Sequence, residues 1–242
     1  MEKTVTEAIH YRRSVRLYKD EPIETEKVKQ CLENAVLAPT SSNLQLWQFY
    51  HVTNPDILKK LSHACMDQNA AKTAQQLVVV VANKSLWHKH AKANIDFLEK
   101  AFNKPDLSER LKKRKKMALS YYQKLIPFLY TDFLGILGLF KYIAFQIVGL
   151  FRPVYRQTRK SDMRIVAHKS AALAAQNFMI RMAAIGYDTC PMEGSDTLRV
   201  KKILNIPFSA EVTMVIACGI REDFGVYGPR FRVPFEEVYH LK

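Results

Sequence analysis

The stretch QLVVVVAN, residues 76–83, restricts the fold more than any other part of the sequence. Its valines are β-branched and its apolar residues do not alternate with polar ones, which is typical of a strand buried on both faces. The stretch EVTMVIACGI, residues 211–220, has the same character. Strands of this kind need a covering layer on each side, so helices have to cover both faces of a central sheet.

Helical spacing of apolar residues surrounds these strands. It predicts helices in residues 4–13, 22–40, 55–65 and 162–186, with Gly186 as the C-terminal stop of the last, whereas WQFYHVT (47–53) is a further strand. Because the strands are few and are separated by helices, we predict an α+β fold with a mixed central sheet flanked by helices. The sequence contains neither an internal repeat nor a low-complexity linker, and we therefore predict one domain over residues 1–242.

Residues 86–160 have a different composition. A charged helical pattern from about 86 to 124 precedes the apolar stretch 125–151, whose only charges are Asp132 and Lys141. Basic residues flank the stretch on both sides: Arg110, Lys112, Lys113, Arg114, Lys115, Lys116 and Lys124 before it, and Arg152, Arg156, Arg159 and Lys160 after it. Pro127 and the two charges interrupt a bilayer span. We predict an apolar helical hairpin near Gly135 and Gly138 that covers a functional site, packs in a dimer or contacts a membrane surface.

The charge of the chain indicates an anionic partner. The formal net charge is +14 at pH 7, which favours contact with polyanions or anionic membranes. Within YRRSVRLY (11–18), Arg12, Arg13, Ser14 and Arg16 lie close together. The like charges repel unless an anion compensates them, and the candidates are nucleic acid, acidic lipid and the phosphate of a small molecule.

The cysteines and the N-terminus predict the compartment. The four cysteines form no CxxC pair, and the first residues contain no apolar leader segment. We therefore expect free thiols in a reducing cytoplasm and no metal site.

Four motifs follow one another along the chain: YRRSVRLY (11–18), APTSSNLQLWQF (38–49), GYDTCPMEGSD (186–196) and YGPRFRVPFEE (227–237). In this order and rough spacing they resemble the nitroreductase family of FMN-dependent oxidoreductases. The resemblance covers residues 1–85 and 160–242, which leaves about 86–160 as an insertion.

The resemblance implies a flavin site. Arginine forks bind phosphate bidentately, so Arg12, Arg16, Arg230 and Arg232 are expected at the FMN phosphate. The resemblance also implies Arg13 and Ser14 at the ribityl chain or ring edge. It implies a turn of Pro191, Met192, Glu193 and Gly194, with the Glu193 or Gly194 amide near flavin N5, and it implies Gln68, or less directly Lys72, at the pyrimidine edge. A loop of Pro39, Thr40, Ser41 and Asn43 is expected to reach the partner subunit's flavin. No catalytic acid is predicted.

The implied function is hydride transfer from NAD(P)H through FMN to an organic acceptor, namely a nitroaromatic, a quinone or an enone, in a ping-pong cycle. The implied assembly is a cytoplasmic homodimer, and the apolar stretch 125–151 favours lipophilic acceptors and peripheral membrane contact. Two alternatives stay open: a membrane-peripheral flavin-binding protein without turnover, and a basic nucleic-acid-binding protein. Against the latter, the sequence has no recognised nucleic-acid-binding motif, and its charge peaks beside an apolar segment.

Overall fold

A computed structural model describes residues 2–104, 106–132 and 135–242 of the chain. Its sheet has the strand order β1–β2–β4–β3, and each neighbouring pair is antiparallel. The strands are β1 (Trp47–Val52), β2 (Gln76–Ala82), β3 (Asp188–Met192) and β4 (Glu211–Gly219). The two runs predicted to be buried strands are therefore the two central strands of the sheet.

The predicted α+β class is confirmed. The parallel component of the expected mixed sheet is small: in the described residues it is limited to an isolated bridge between Ser14 and Thr189. The contact of the N-terminal segment with β3 is short. At Tyr18 the segment already pairs with Arg221, which follows β4, in an antiparallel bridge.

The helices predicted from the sequence are present, and two short ones at Asn69–Thr73 and Thr197–Ile203 were not predicted. They are α1 (Val5–Tyr11), α2 (Thr25–Ala35), α3 (Pro55–Ala64), α4 (Asn69–Thr73), α5 (Trp87–Ala101), α6 (Glu109–Ser120), α7 (Ile126–Tyr130), α8 (Ile136–Phe151), α9 (Lys160–Ala184) and α10 (Thr197–Ile203). Short 3-10 helices occupy Ser41–Asn43, Lys84–Leu86 and Phe235–Glu237. Gly186 follows α9 with φ of 88°, a left-handed conformation that glycine adopts without strain, so the predicted helix stop is confirmed.

Both faces of the sheet are covered. Every residue of β2 is buried, and successive side chains point to opposite faces. Val78 and Val80 belong to an apolar cluster formed with α2 and α9, whereas Val79 and Val81 belong to a second cluster formed with α3, α4 and α10. This arrangement agrees with the strand burial predicted from the run of valines.

Residues 86–160 form a helical arm beside this core. The charged pattern over 86–124 contains two helices rather than one, because α5 ends at Ala101 and α6 begins only after Ser108, whose side chain caps it. Helix α6 continues through a π-helical turn (Tyr121–Leu125) into α7.

The arm turns back between α7 and α8. Gly135 has φ of 87° and directly precedes α8, and Lys141 Nζ donates to the Phe128 carbonyl at 2.5 Å. The predicted helical hairpin is thus present, although Phe133 and Leu134 of its apolar stretch lie outside the described residues. Within the described ranges, no helix combines the length and the apolar character that crossing a membrane requires.

Candidate functional site

The N-terminal basic segment is fixed against the edge of the sheet. The Val15 N–H donates to the Thr189 carbonyl at 3.2 Å, and the Arg16 N–H donates to the Gly225 carbonyl at 2.6 Å. Val15 itself is fully buried. The segment that carries Arg12, Arg13 and Arg16 therefore lies between β3 and the chain that follows β4.

A buried ion pair secures the same segment. Asp188 is 3% exposed; it accepts from the Arg221 Nε and from the Arg221 N–H, each at 2.9 Å. The Arg221 guanidinium also donates to the Tyr11 carbonyl at 3.2 Å. Asp188 thus connects the start of β3 to the residue just before the arginine cluster.

Arginines from both ends of the chain line one cavity of about 300 Å³. Its walls include Arg12, Arg13, Ser14, Arg16, Tyr227, Arg230 and Arg232. Arg230 donates to the backbone carbonyls of His10 (2.8 Å) and Arg12 (2.7 Å), and Arg13 donates to the Gly228 carbonyl at 2.9 Å. The structure therefore brings together the N-terminal and C-terminal basic motifs, and we call this space the arginine cavity.

The arginine cavity carries positive charge without an acidic counterpart. In the described part of the chain, no carboxylate forms a hydrogen bond or ion pair with its five arginines. Arg13, Arg230 and Arg232 donate to backbone carbonyls instead. Burial lowers the pKa of Arg12, and so does the proximity of Arg230 and Arg232. Guanidinium groups in this arrangement are suited to an anion with several oxygen acceptors, such as a phosphate.

Cys190 lies close to Arg12 and Arg16 of the arginine cavity. Burial raises the pKa of Cys190, against the lowering effect of the nearby Arg16 and Arg12. Cys190 is fully buried in strand β3. It therefore acts as a small packing residue.

The turn after β3 meets the segment before α4. The Gln68 side chain donates to the Gly194 carbonyl at 2.7 Å and to the Cys65 carbonyl at 3.0 Å. The Gly194 N–H has no acceptor among the described residues. A Cβ at Gly194 would make only an ordinary contact with Gln68 Nε2, at 3.6 Å. The packing of the chain itself therefore does not require glycine at this position.

The structure differs from the prediction at the turn, which begins only after β3 ends at Met192. Pro191 and Met192 are the last residues of β3, directly before the exposed Glu193. Lys72 does not line the arginine cavity; it lines a separate cavity of about 780 Å³ that also contains Tyr18 and Asp67.

Asn69 is a residue that the sequence analysis missed. Its side-chain amide donates at 3.0 Å to the hydroxyl of Tyr227, which lines the arginine cavity. Asn69 directly follows Gln68 in the sequence DQNAAK (67–72), so the choice between the two side chains depends on where α4 begins. Helix α4 starts at Asn69.

The loop of residues 39–43 does not reach the arginine cavity of its own chain, since none of its residues lines that cavity. Ser42 Oγ lies 2.6 Å from the Tyr121 hydroxyl, and Tyr122 donates to the Ser42 carbonyl at 3.0 Å. Asn43 donates to Asn94 at 2.8 Å. The loop is therefore built into the helical arm rather than into the basic site.

An apolar cavity lies between this loop and the arm. It measures about 330 Å³, and its walls include Ser41, Ser42, Leu125, Phe128, Phe145 and Met163. Hydrophobic and aromatic walls with a few hydroxyl groups at one end are typical of sites for small organic molecules.

The chain has relatives of known family. The model of the "Nitroreductase family" matches residues 9–220. A Bacillus subtilis protein named "Putative NAD(P)H nitroreductase MhqN" is 28% identical over 236 residues, which are 96% of each chain.

Solved structures of similar proteins have the same fold. The Bacillus subtilis "putative nitroreductase ydfN" has a TM-score of 0.73 at 24% identity, with 98% of each chain covered. A "putative nitroreductase in complex with FMN" from Exiguobacterium sibiricum has a TM-score of 0.70 at 20% identity, covering 99% of this chain and 98% of its own.

Proposed function

Because this chain belongs to the nitroreductase family, we propose that it is an FMN-dependent oxidoreductase that uses NAD(P)H. The observation that carries the proposal is the arginine cavity, in which guanidinium groups from both ends of the chain converge without a carboxylate. The FMN complex of the Exiguobacterium sibiricum protein and the name of the MhqN relative support the choice of flavin and reductant.

The residues of the cavity fit the parts of FMN. Arg12, Arg16, Arg230 and Arg232 would hold the phosphate, whose two negative charges need several donors. Arg13 and Ser14 would contact the ribityl chain or the edge of the ring. When bound, FMN supplies the hydride chemistry, which it performs between NAD(P)H and an organic acceptor in a ping-pong cycle.

The ring end of the flavin would lie at the turn after β3. The Gly194 or Glu193 N–H would donate to N5, and the absence of a side chain at Gly194 would allow the backbone to approach a flat ring. Gln68 would fix this turn through its bond to the Gly194 carbonyl and contact the pyrimidine edge together with Asn69. Lys72, which lines the separate cavity of about 780 Å³, is proposed for the same edge of the ring.

We propose a lipophilic acceptor, with nitroaromatics, quinones and enones as the candidate classes. The support is the apolar cavity of about 330 Å³ beside the hydroxyl groups of Ser41 and Ser42. We also propose that the enzyme is cytoplasmic and that residues 125–151 bring it to membrane surfaces, where such acceptors concentrate.

Steady-state turnover tests this activity. We expect NAD(P)H oxidation to depend on an added acceptor, with parallel double-reciprocal lines, and we expect a long-chain quinone to have a lower KM than a short-chain one. Reduction of the flavin without turnover of any nitroaromatic, quinone or enone would instead indicate a flavin-binding protein that is not an enzyme.

We further propose that the functional unit is a homodimer. In one chain the loop of residues 39–43 and the arginine cavity are separate, so a site that uses both needs a second subunit. We expect sedimentation of the flavin-loaded protein to give twice the chain mass of 27.9 kDa at micromolar concentration.

Mixed dimers test the shared site. One set of subunits carries Arg230→Ala with Arg232→Ala, and the other carries Ser41→Trp, which fills the loop side. Each variant alone should be nearly inactive, whereas refolding the two together should restore activity, because a mixed dimer contains one intact site. A flavin-loaded monomer, or mixtures no more active than their parents, would refute the proposal.

A further inference from the structure

Helix α8 turns an apolar side away from the protein. Seven of its side chains are between 48% and 85% exposed: Ile136, Leu139, Phe140, Ile143, Ile147, Leu150 and Phe151. At helical spacing they occupy an arc of about 120°. We call these residues the α8 face.

The polar groups of α8 point the other way. Lys141, the only charged residue of the helix, donates through Nζ to the carbonyls of Phe128 (2.5 Å) and Thr131 (2.6 Å). Gln146 accepts from Arg156 at 2.8 Å, and the Gly138 N–H donates to Asp132 at 2.8 Å. The polar side chains of α8 are therefore bonded to neighbouring segments of the arm, whereas the apolar side chains of the α8 face stay exposed.

The first half of the arm carries a second exposed groove, which is both basic and apolar. Met117, Tyr121, Leu125 and Phe128 follow each other along one side of α6, the π-helical turn and α7, and each is at least one-third exposed. Lys113, Lys116 and Lys124 line the same groove. The Phe128 ring lies 5.9 Å from the Phe145 ring, so this groove packs against the side of α8 that is opposite to the α8 face.

We propose that the α8 face and this basic groove dock on anionic bilayer lipid. Apolar side chains flanked by lysines are the pattern of a helix that lies in the interfacial plane of a membrane. At 1.5 Å per residue, the 16 residues of α8 extend about 24 Å, which is shorter than the hydrocarbon core of about 30 Å. The helix therefore lies along the surface instead of crossing it.

Charge favours lipid over a second copy of the chain as the occupant. The chain carries a net charge of +14, and two copies joined through this surface would bring their lysine rows together. An anionic leaflet attracts the same lysines. Docking requires no bound flavin, so it does not depend on the proposed enzymatic activity.

Vesicle co-sedimentation tests the docking. The full chain is mixed with vesicles of phosphatidylcholine, or of phosphatidylcholine with phosphatidylserine, at physiological and at high salt. We expect pelleting with the anionic vesicles and its loss at high salt, because screening shortens the reach of charge from about 8 Å to about 3 Å at 1 M.

Matched variants distinguish docking through this surface from nonspecific adsorption of the protein to vesicles. Lys113→Gln, Lys116→Gln and Lys124→Gln together should weaken partitioning roughly a hundred-fold, and Phe140→Gln, Ile147→Gln and Leu150→Gln should abolish it. The controls remove the same charges at Lys59, Lys60 and Lys202, or exposed apolar groups at Leu198 and Phe208, and should bind like the parent. Circular dichroism checks that each variant is folded.

Three results would overturn the proposal. The parent could ignore anionic vesicles, the control variants could lose binding as much as the surface variants, or the α8 variants could change the oligomeric state of a parent that does not bind vesicles. The last result would mean that a second copy covers the α8 face. A colourless protein that still pellets with anionic vesicles would support docking while contradicting the flavin proposal.

Discussion

The double substitution Arg230→Ala with Arg232→Ala should yield a protein that purifies without FMN. Both guanidinium groups line the arginine cavity together with Arg12 and Arg16. A hydrogen bond to a charged group contributes about 1.5–3 kcal/mol, so losing two should weaken FMN binding roughly a hundred-fold or more. The flavin absorbance of the purified protein and fluorescence titration with FMN measure the loss.

Two controls make the result specific. Arg230 also holds the backbone of His10 and Arg12. Among the described residues, Arg232 donates only to the carbonyl of its neighbour Phe231, so the single variant Arg232→Ala separates loss of charge from release of the tail. Removing Arg110 and Arg114 on α6 takes away the same charge elsewhere and should leave FMN bound. A double variant that retains its full complement of FMN would show that these arginines do not bind the phosphate.

Asp188→Asn should be the most destabilising of the conservative substitutions near the site. It leaves the Arg221 guanidinium partly buried without its carboxylate, and breaking a buried pair costs about 3–5 kcal/mol. For a chain of this size each kcal/mol lowers the melting temperature by roughly 2–4 °C. We therefore expect Tm to fall by roughly ten degrees, together with weaker FMN binding, because Arg221 also holds the Tyr11 carbonyl before the arginine cluster.

The surface pair of Glu109 and Lys112 is the matched control. Both side chains are more than half exposed, and their charges lie 2.8 Å apart. Exposed pairs of this kind contribute little, so Glu109→Gln should melt close to the parent. If Asp188→Asn melts there too, Asp188 does not anchor the N-terminal segment.

The central sheet and the long helix were predictable because each depends on local pattern. The valines of β2 have no polar alternation, and the structure buries both faces. The break between α5 and α6 was missed although the sequence marks it with Pro105 and with the Ser108 cap, because the residues on both sides are similarly charged.

The candidate site was predictable only in part. The two arginine motifs lie more than two hundred residues apart, and their convergence follows from the resemblance and not from local spacing. The contact between Asn69 and Tyr227 depends on where α4 begins. Because α4 has only five residues, its sequence shows too little helical spacing to locate that start. The outward apolar side of α8 was also hidden, since an apolar run alone does not tell which side faces the protein.

The absorbance spectrum of the purified chain is the most direct test of the flavin proposal. We expect a yellow protein with a flavin band, equimolar FMN released on heating, and bleaching by NAD(P)H in the absence of oxygen that an acceptor reverses. A colourless protein that takes up no FMN on titration, and that leaves NAD(P)H unconsumed, would contradict the proposal.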